Sequence, residues 1–455
     1  MTEELIELLQ ILSSHAAEYR ENDLYYSGQQ PLAFLSPESK QALSNRFGRI
    51  ASNIPRLAVN SLAERLRVTG FVGASVWPDF IRCDLDQWSG VVHREALALG
   101  QSFVVVWVDD SGDPLVTVES AHEVAVKRDP ATRQVVAAVK RYTTDTETHA
   151  VLFYPDRVEK WVAKSRSAGI AGFTLTETLA NPLGVVPVVP FTNSDRLLDR
   201  DGRSEIDDLK PLVDGLNKTL ADLAVAQEFT ARPRRWATGI ELVEKPVLDD
   251  DGNPVLDDDG EPVTVAENPI PEGNRAMVSE NSEAKFGQLE GATLTGYEAA
   301  VKIWLGQIQA VSALPGHLIG ILVESPTSAD ALRASESSLT ARAEQKQAAF
   351  GRAWEQVGKL MVAVRDSVDP ATVRLRVVWA DASTRSVAQE VDAAVKLFGS
   401  NLLSRTAVLR RMGWSDDEIA TELDLYQRDA ELAADVTLGR YVTRKRGMDS
   451  MAPAA

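Results

Sequence analysis

The sequence has little cysteine and little histidine, and it has fewer basic than acidic residues. Its 455 residues include one cysteine, Cys83, so neither a disulfide framework within the chain nor a cluster of thiolate metal ligands can form. Lysine and arginine number 48 against 66 aspartates and glutamates, which gives a net charge of −18. A chain this acidic is a poor candidate for gripping nucleic acid over a broad basic face.

Signals for secretion and membrane insertion are also missing. The start, Met-Thr-Glu-Glu-Leu-Ile, is acidic and amphipathic, whereas a signal peptide begins with basic residues followed by an apolar run. Residues 303–323 carry no Asp, Glu, Lys or Arg, but they include Gln307, His317 and a Pro315-Gly316 break. We interpret this stretch as a buried helix followed by a loop, and we expect no membrane partner.

Motifs for phosphate binding and metal catalysis are absent. There is no G-x-x-x-x-G-K-[ST], no G-x-G-x-x-G and no H-E-x-x-H, and the five histidines are scattered. Two Asp-Asp-Asp-Gly runs, 249–252 and 257–260, place valine at the first ligand position of an EF-hand frame. We read them as solvated acidic hairpin tips. The sequence therefore predicts no catalytic residue, no metal and no cofactor.

The periodicities that are present predict an α+β fold. Leucines at helical spacing predict a helix over residues 3–20, and Ser36-Pro37 begins a second helix that runs towards Leu66 with a kink near Pro55. A short helix over 88–99 precedes a series of β-branched runs bounded by turn signals. The predicted strands are 102–108, 115–119, 135–142, 150–154 and 157–162. Two prolines in 184–191 predict an edge strand or an extended connector.

Long helices dominate the second half. Apolar stripes predict helices over 204–231 and 295–314 and one of roughly 40 residues starting near Thr327. Between the first two lies a Pro-rich insertion with an eight-residue repeat, Val247 to Pro254 and Val255 to Pro262, whose Asp-Gly pairs predict hairpin tips. A strand over 374–379, helices over 386–398, 406–412 and from 415 onward, and a disordered tail complete the prediction.

Several segments in this order resemble the portal proteins of tailed bacteriophages, siphovirus-type, particularly the branch in phages of actinobacterial hosts. They are Asn60-Ser-Leu-Ala-Glu-Arg-Leu-Arg-Val-Thr-Gly-Phe71, Gly202-Arg-Ser-Glu-Ile206 with Leu216-Asn-Lys218, Lys285-Phe-Gly-Gln-Leu-Glu-Gly291, and Thr327-Ser-Ala-Asp-Ala-Leu-Arg-Ala-Ser-Glu336. The resemblance covers residues 40–435.

The resemblance implies a portal-like organisation. An α/β wing would span 1–203, stem helices 204–231 and 295–314, a β-rich clip 232–294, a tunnel loop 315–326, a long kinked wing helix 327–373, a helical crown 374–440 and a disordered tail 441–455. It implies a homo-oligomeric ring of twelve subunits at one capsid vertex of the virion, assembled in the host cytoplasm. Double-stranded DNA would pass through the ring without sequence specificity. The implied partners are the terminase, a head-completion or adaptor protein, and the major capsid and scaffold proteins.

Three sets of residues follow from this organisation. Those of the tunnel loop facing DNA would be Pro315, Gly316, His317, Leu318, Gly320 and Glu324. Those docking partners through the clip would be Arg234, Arg235, Trp236, Asp250 and Asp258. Those packing the stem between subunits would be Leu209, Leu216, Leu220, Leu223, Trp304 and Ile308. Within the loop, His317 is the one residue that gains positive charge near neutral pH, so we expect it to contact phosphate.

Other readings stay open at this point. The basic cluster Arg232-Pro-Arg-Arg-Trp236 suits either a solvated helix end or a contact with phosphate or an acidic partner. The whole chain could be another phage structural protein with long helices. An acid-dependent hydrolase built on Asp249 to Asp251 is the third alternative, and the absence of nucleophile motifs argues against it.

Overall fold

The computed structural model describes residues 2–33, 51–231, 235–239, 243–248, 253–257, 260–267, 282–288, 294–320, 329–383 and 387–449. Helices and antiparallel strands are mixed throughout, which confirms the predicted α+β class. The chain forms two compact units. One comprises Met1–Asn217 with Lys302–Ala455, and the other comprises Lys218–Val301.

Within the described residues, the N-terminal part begins with four helices and one strand and continues as a run of eight strands. Its first elements are α1 (Glu3–Ser27), α2 (Ile54–Ala63), β1 (Val68–Val72), α3 (Trp77–Arg82) and α4 (Leu85–Leu99). Its remaining strands are β2 (Gln101–Val108), β3 (Pro114–Ser120), β4 (Val124–Arg128), β5 (Val135–Thr143), β6 (Thr148–Phe153), β7 (Arg157–Ala163), β8 (Thr174–Ala180) and β9 (Val188–Thr192).

Two predictions about the first helices need correction. Helix α1 runs two turns beyond residue 20 and ends where Gly28 takes the left-handed φ of 68°. Pro55 lies in the first turn of α2, where its missing N–H costs nothing, so the proline begins a helix and does not kink one. The predicted helical stretch 36–50 lies outside the described residues.

The C-terminal half consists mainly of helices. The elements between the N-terminal strands and the long helix are α5 (Lys210–Ala231), β10 (Arg235–Thr238), β11 (Val243–Pro246), β12 (Thr264–Glu267), β13 (Lys285–Gln288) and α6 (Thr295–Ser312). The last elements are α7 (Ala329–Asp366), β14 (Arg376–Trp379), α8 (Val387–Gly399), α9 (Arg405–Arg411) and α10 (Asp416–Asp449). Helix α7 has 38 residues, close to the predicted 40.

All strand pairs within the described ranges are antiparallel. Strands β4 to β8 follow one another as a five-stranded meander, and β3, β2 and β9 form a three-stranded sheet with β9 at its edge, as the two prolines predict. Strand β1 pairs with the distant β14. In the second unit, β10 pairs with β13 and β11 with β12.

Three apolar cores hold the larger unit together. Leucines of α1 cover one face of the five-stranded sheet, and a second core fills the space between that sheet and the three-stranded one. The third core places α7 across β2 and β9, where Phe350 and Trp354 meet Phe191. The buried positions of α7 are the apolar stripe read from the sequence: Leu339, Ala343, Phe350, Trp354, Val357 and Met361. None of the helices in the described ranges is both long and apolar enough to cross a membrane.

Candidate functional site

The connector between α6 and α7 is the segment that the sequence singles out as a tunnel loop. Helix α6 stops at Ser312, Ala313 takes a φ of 58°, and a single 3₁₀ turn covers Gly316–Ile319 before Gly320 turns the chain with a φ of 76°. The helix therefore ends near the predicted residue, and a short turn replaces an open loop at the start of the connector. Residues 321–328, which include Glu324, lie outside the described ranges.

The connector's exposure divides the predicted channel residues. Leu314, Pro315 and Gly316 are buried, whereas His317, Leu318 and Gly320 are exposed. Pro315 and Gly316 are thus covered by the rest of their own chain. Of the described residues, His317, Leu318 and Gly320 keep the exposure that a channel contact requires.

Arg342 on α7 fixes the end of α6. Its Nη1 donates to the carbonyl of Ser312 at 3.2 Å and its Nη2 to the carbonyl of Val311 at 3.1 Å. A cation at a helix C-terminus satisfies carbonyls that have no partner within the helix and suits the negative end of the helix dipole. Arg342 also lies 3.5 Å from Glu205, and Glu205 lies 3.0 Å from the buried Nζ of Lys346. The long helix thereby sets where the connector begins.

His317 lies beside an acid of the same chain. Its Nε2 is 3.5 Å from Oε1 of Glu336, whose Oε2 lies 3.0 Å from Nη2 of Arg65. Arg65 in turn donates from Nη1 to the carbonyl of Ala382 at 2.6 Å. Glu336 therefore joins the 3₁₀ turn to α7 and to the residues that follow α2. Sequence reasoning missed this acid because it belongs to a helix that begins after the loop.

The residues predicted to pack the stem between subunits fall into two groups. Leu209, Leu216 and Ile308 are 1%, 2% and 0% exposed within the single chain, so their own chain already covers them. Leu220, Leu223 and Trp304 are half-buried. Trp304 lies against Gly215, where a Cβ would stand 2.6 Å from the indole ring. A glycine at 215 therefore lets the two helices meet at this point.

The first turns of α5 are fastened by polar groups that the apolar stripe does not reveal. Oδ1 of the buried Asn217 accepts from both the backbone N–H and the hydroxyl of Ser52, each at 2.8 Å. The hydroxyl of Tyr25 on α1 donates to Oδ2 of Asp214 at 2.9 Å, and burial raises the pKa of that carboxyl. These bonds fix residues 210–217 to the larger unit and account for the asparagine in the motif Leu216-Asn-Lys218.

The second unit contains the predicted clip residues and the octapeptide repeat. Trp236 is exposed on β10 opposite Gly287, where a side chain would collide with the indole. Arg235 begins the same strand, while Arg234, Asp250 and Asp258 lie outside the described residues. Each repeat pairs its own ends, Leu248 with Pro254 and Leu256 with Pro262, as hairpins do.

The repeats are joined by a cycle of backbone hydrogen bonds. The N–H of Val255 donates to the carbonyl of Val247, that of Val263 to Val255, and that of Val247 to Val263, each at 2.8 Å. The three valines are spaced by eight residues, so the third position of the cycle lies just beyond the second repeat. This arrangement links hairpins without a continuous sheet.

The described residues offer no cluster typical of metal catalysis. Among them, no three His, Cys, Asp or Glu side chains lie close enough together to hold a metal ion. His93, the one fully buried histidine of the described ranges, packs among aromatic rings, and burial lowers its pKa to about 3.

The sequence matches the family "Phage portal protein, SPP1 Gp6-like" over residues 77–435, and the chain belongs to this family. The resemblance drawn from its motifs is therefore confirmed. The chain is 28% identical over 459 residues to the portal protein of Mycobacterium phage D29, an alignment covering 94% of this chain and 88% of that relative. It is 27% identical over 441 residues to the portal protein of Mycobacterium phage L5, covering 90% and 85%.

Two solved structures similar to this chain come from gene transfer agent particles. One is the neck of an empty particle computed with C6 symmetry, with 12% identity, a TM-score of 0.47, and coverage of 88% of this chain and 93% of that one. The other is the neck of a native particle computed with C12 symmetry, with 14% identity, a TM-score of 0.42, and coverage of 87% and 98%.

Proposed function

We propose that twelve copies of this chain form a ring at a single vertex of a phage capsid and act as the conduit for DNA packaging and ejection. The observation that carries the proposal is the family match, which extends from α3 through both stem-like helices, the connector, the long helix and much of α10. We assign the chain a structural and not a catalytic role, with assembly in the host cytoplasm. The ring would also dock the terminase, a head-completion protein, and the capsid and scaffold proteins.

The net negative charge of the chain supports a channel through which DNA passes without being bound. The chain carries a net charge of −18, and in the described part of the connector His317 is the one ionisable side chain. Because duplex DNA binds proteins mainly through Lys and Arg contacts to phosphate, a channel poor in these residues leaves DNA free to slide. Glu336 beside His317 would also weaken a lasting contact between that imidazole and a phosphate.

The connector tests the proposal directly. Particles whose portal lacks Gly320 and Ile321 should assemble rings but package DNA poorly or lose it afterwards, because the shortened connector cannot follow the duplex. Packaged DNA per particle is measured by nuclease protection, and ring assembly by mass photometry. A matched control replaces Gly306, on the exposed side of α6, with Ala, where an added Cβ meets nothing within 4 Å. Normal packaging and retention of DNA by the shortened variant would show that the connector does not contact DNA in the channel.

A further inference from the structure

The larger unit presents two exposed patches of opposite charge at opposite ends of strand β2. We propose that they are the two halves of one contact between adjacent copies of this chain in the ring, an inference that rests on the proposed function. The basic-apolar patch consists of Arg133, Arg196, Leu197, Leu198 and Arg200. The acidic-apolar patch consists of Ile81, Asp86, Trp88, Asp110 and Leu115.

The basic-apolar patch holds the most exposed leucines of the described chain. Leu197 and Leu198 are 76% and 81% exposed on the loop that follows β9. Within the described ranges, no carboxylate pairs with the guanidinium groups of Arg133, Arg196 or Arg200. Two adjacent exposed leucines leave apolar area in contact with water, and apolar area flanked by arginines is typical of a surface that a protein partner covers.

A cleft of about 370 Å³ opens beside these residues, lined by four arginines and three aspartates. Lys346 pairs with one of the aspartates, Asp195, at 2.8 Å, and shares its charge with Glu205. Asp129 is engaged with its own loop, since its Oδ1 accepts from the N–H groups of Ala131 and Thr132. Asp129 keeps its charge in these bonds and Asp199 is the third carboxylate, so four guanidinium groups stand against three carboxylates. The cleft of this acidic protein is therefore locally positive and suits a partner's carboxylates.

The acidic-apolar patch has the complementary composition. Trp88 is 50% exposed, Leu115 46% and Ile81 37%. The carboxylates of Asp86 and Asp110 are exposed and have no cationic partner among the described residues. Exposed tryptophan beside acid is the counterpart of exposed leucine beside arginine, because each patch offers the other apolar area and opposite charge.

The pairing register of β9 and β3 along β2 places the two patches at opposite ends of that strand. Thr192, which precedes the basic loop, pairs with Gln101 at the start of β2, whereas Pro114 pairs with Val108 at its end. Arg82 donates to the carbonyl of Pro114 at 2.7 Å, so the end of α3 and the start of α4 lie at that second end. The seven-residue separation along β2 spans about 23 Å. Two different, complementary patches at separate places on one unit are what a head-to-tail ring requires, because its interfaces are heterologous.

Charge reversal and charge exchange test the contact. Arg196→Glu with Arg200→Glu should lower the fraction of chains in rings about tenfold or more by mass photometry, and Asp86→Lys with Asp110→Lys should do the same. All four substitutions in one chain should restore rings, because the exchanged charges again attract. Lys164→Glu with Arg166→Glu, which makes an equal charge change on the exposed β7–β8 turn, is the matched control and should leave rings intact. Circular dichroism and thermal melting confirm that each variant is folded.

The possible outcomes distinguish a failure of the proposed interface from a failure of the proposed function. If the unmodified chain forms no ring, the proposed function fails. If it forms rings and the reversed variants do so equally well, the function stands and the interface is overturned. If both reversals abolish rings but their combination restores none, the patches do not face each other, and the inference is again overturned. Loss of DNA binding with intact rings would likewise reject a second copy as the occupant.

Discussion

One imidazole shows how burial decides ionisation in the core beneath α7. His93 is fully buried, stacks on Phe350 with the rings 7° from parallel, and accepts a hydrogen bond at Nε2 from the indole N–H of Trp354 at 2.8 Å. Since Trp is only a donor, Nε2 must be unprotonated. Removal from water lowers the pKa of this imidazole from 6.5 to about 3.

That shift gives the folded protein a defined sensitivity to acid. Below pH 6.5 the unfolded chain binds a proton that the folded chain refuses, so the stability present above pH 6.5 is lost as the pH falls towards 3. His93→Phe should reduce the slope of unfolding free energy against pH between 6.5 and 4.5 by up to about 1.4 kcal/mol per unit. At pH 7 the variant should be about 1–3 kcal/mol less stable, because the Trp354 N–H loses its acceptor. Chemical denaturation at several pH values measures both effects, and equal slopes would contradict the assignment.

A glycine on α5 controls a helix contact through its missing side chain. Gly215→Ala would bring a Cβ to 2.6 Å from the indole of Trp304, so we expect a loss of about 1–3 kcal/mol in unfolding free energy. Gly306→Ala, on a helix and with free space around the new Cβ, is the matched substitution and should stabilise the chain by up to about 1 kcal/mol. Opposite signs in urea denaturation are expected. Stabilisation by both changes would show that Trp304 moves aside.

At the scale of elements, the end of α6 is held by a side chain from α7. Arg342→Ala removes two donors to carbonyls and the neighbour of Glu205, so we expect a loss of about 1–3 kcal/mol. Amide hydrogen exchange at residues 314–320 should speed up, because the connector loses its anchor. Arg352→Ala is the control, since Arg352 is 76% exposed and pairs only locally with Glu355. Equal exchange in the two variants would show that Arg342 does not hold the connector.

The elements also show what local sequence can predict. The stripe on α7 is correct because its buried positions recur with the helical period, and β3 is correct because its burial alternates along the strand. Strand β2 is buried along both faces and was predicted from its continuous β-branched run. Strand β1 was not predicted from the sequence, because the strand that pairs with it, β14, lies some 300 residues away. Strand β8 escaped because it is exposed on both faces and lacks alternation. The burial of Leu209, Leu216 and Ile308 by their own chain could not be predicted, because an apolar stripe does not say whether its own chain or a neighbour covers it.

At the scale of the whole molecule, the two compact units should respond independently to a change confined to one of them. Deletion of residues 255–262 removes one copy of the repeat, whose described side chains are exposed, such as Leu256 at 58%. We expect the melting temperature of the larger unit to stay within about 2 °C, because little buried area is lost. Ring assembly should persist while docking of a partner weakens. Absence of rings would show that the hairpin contacts a neighbouring subunit.

The cycle of backbone hydrogen bonds among Val247, Val255 and Val263 limits how the octapeptide repeat can gain further copies. In an open stack each new copy finds an unused backbone donor and acceptor on the last one, so such arrays lengthen by simple tandem duplication. Here the amide of Val247 already reaches back to the carbonyl of Val263, and each of the three positions is donor to one and acceptor from another. A third octapeptide would have to break one of these backbone hydrogen bonds before it could join. The closed cycle of backbone hydrogen bonds therefore limits the number of hairpins. Related sequences should differ in the length of the hairpins more readily than in their number.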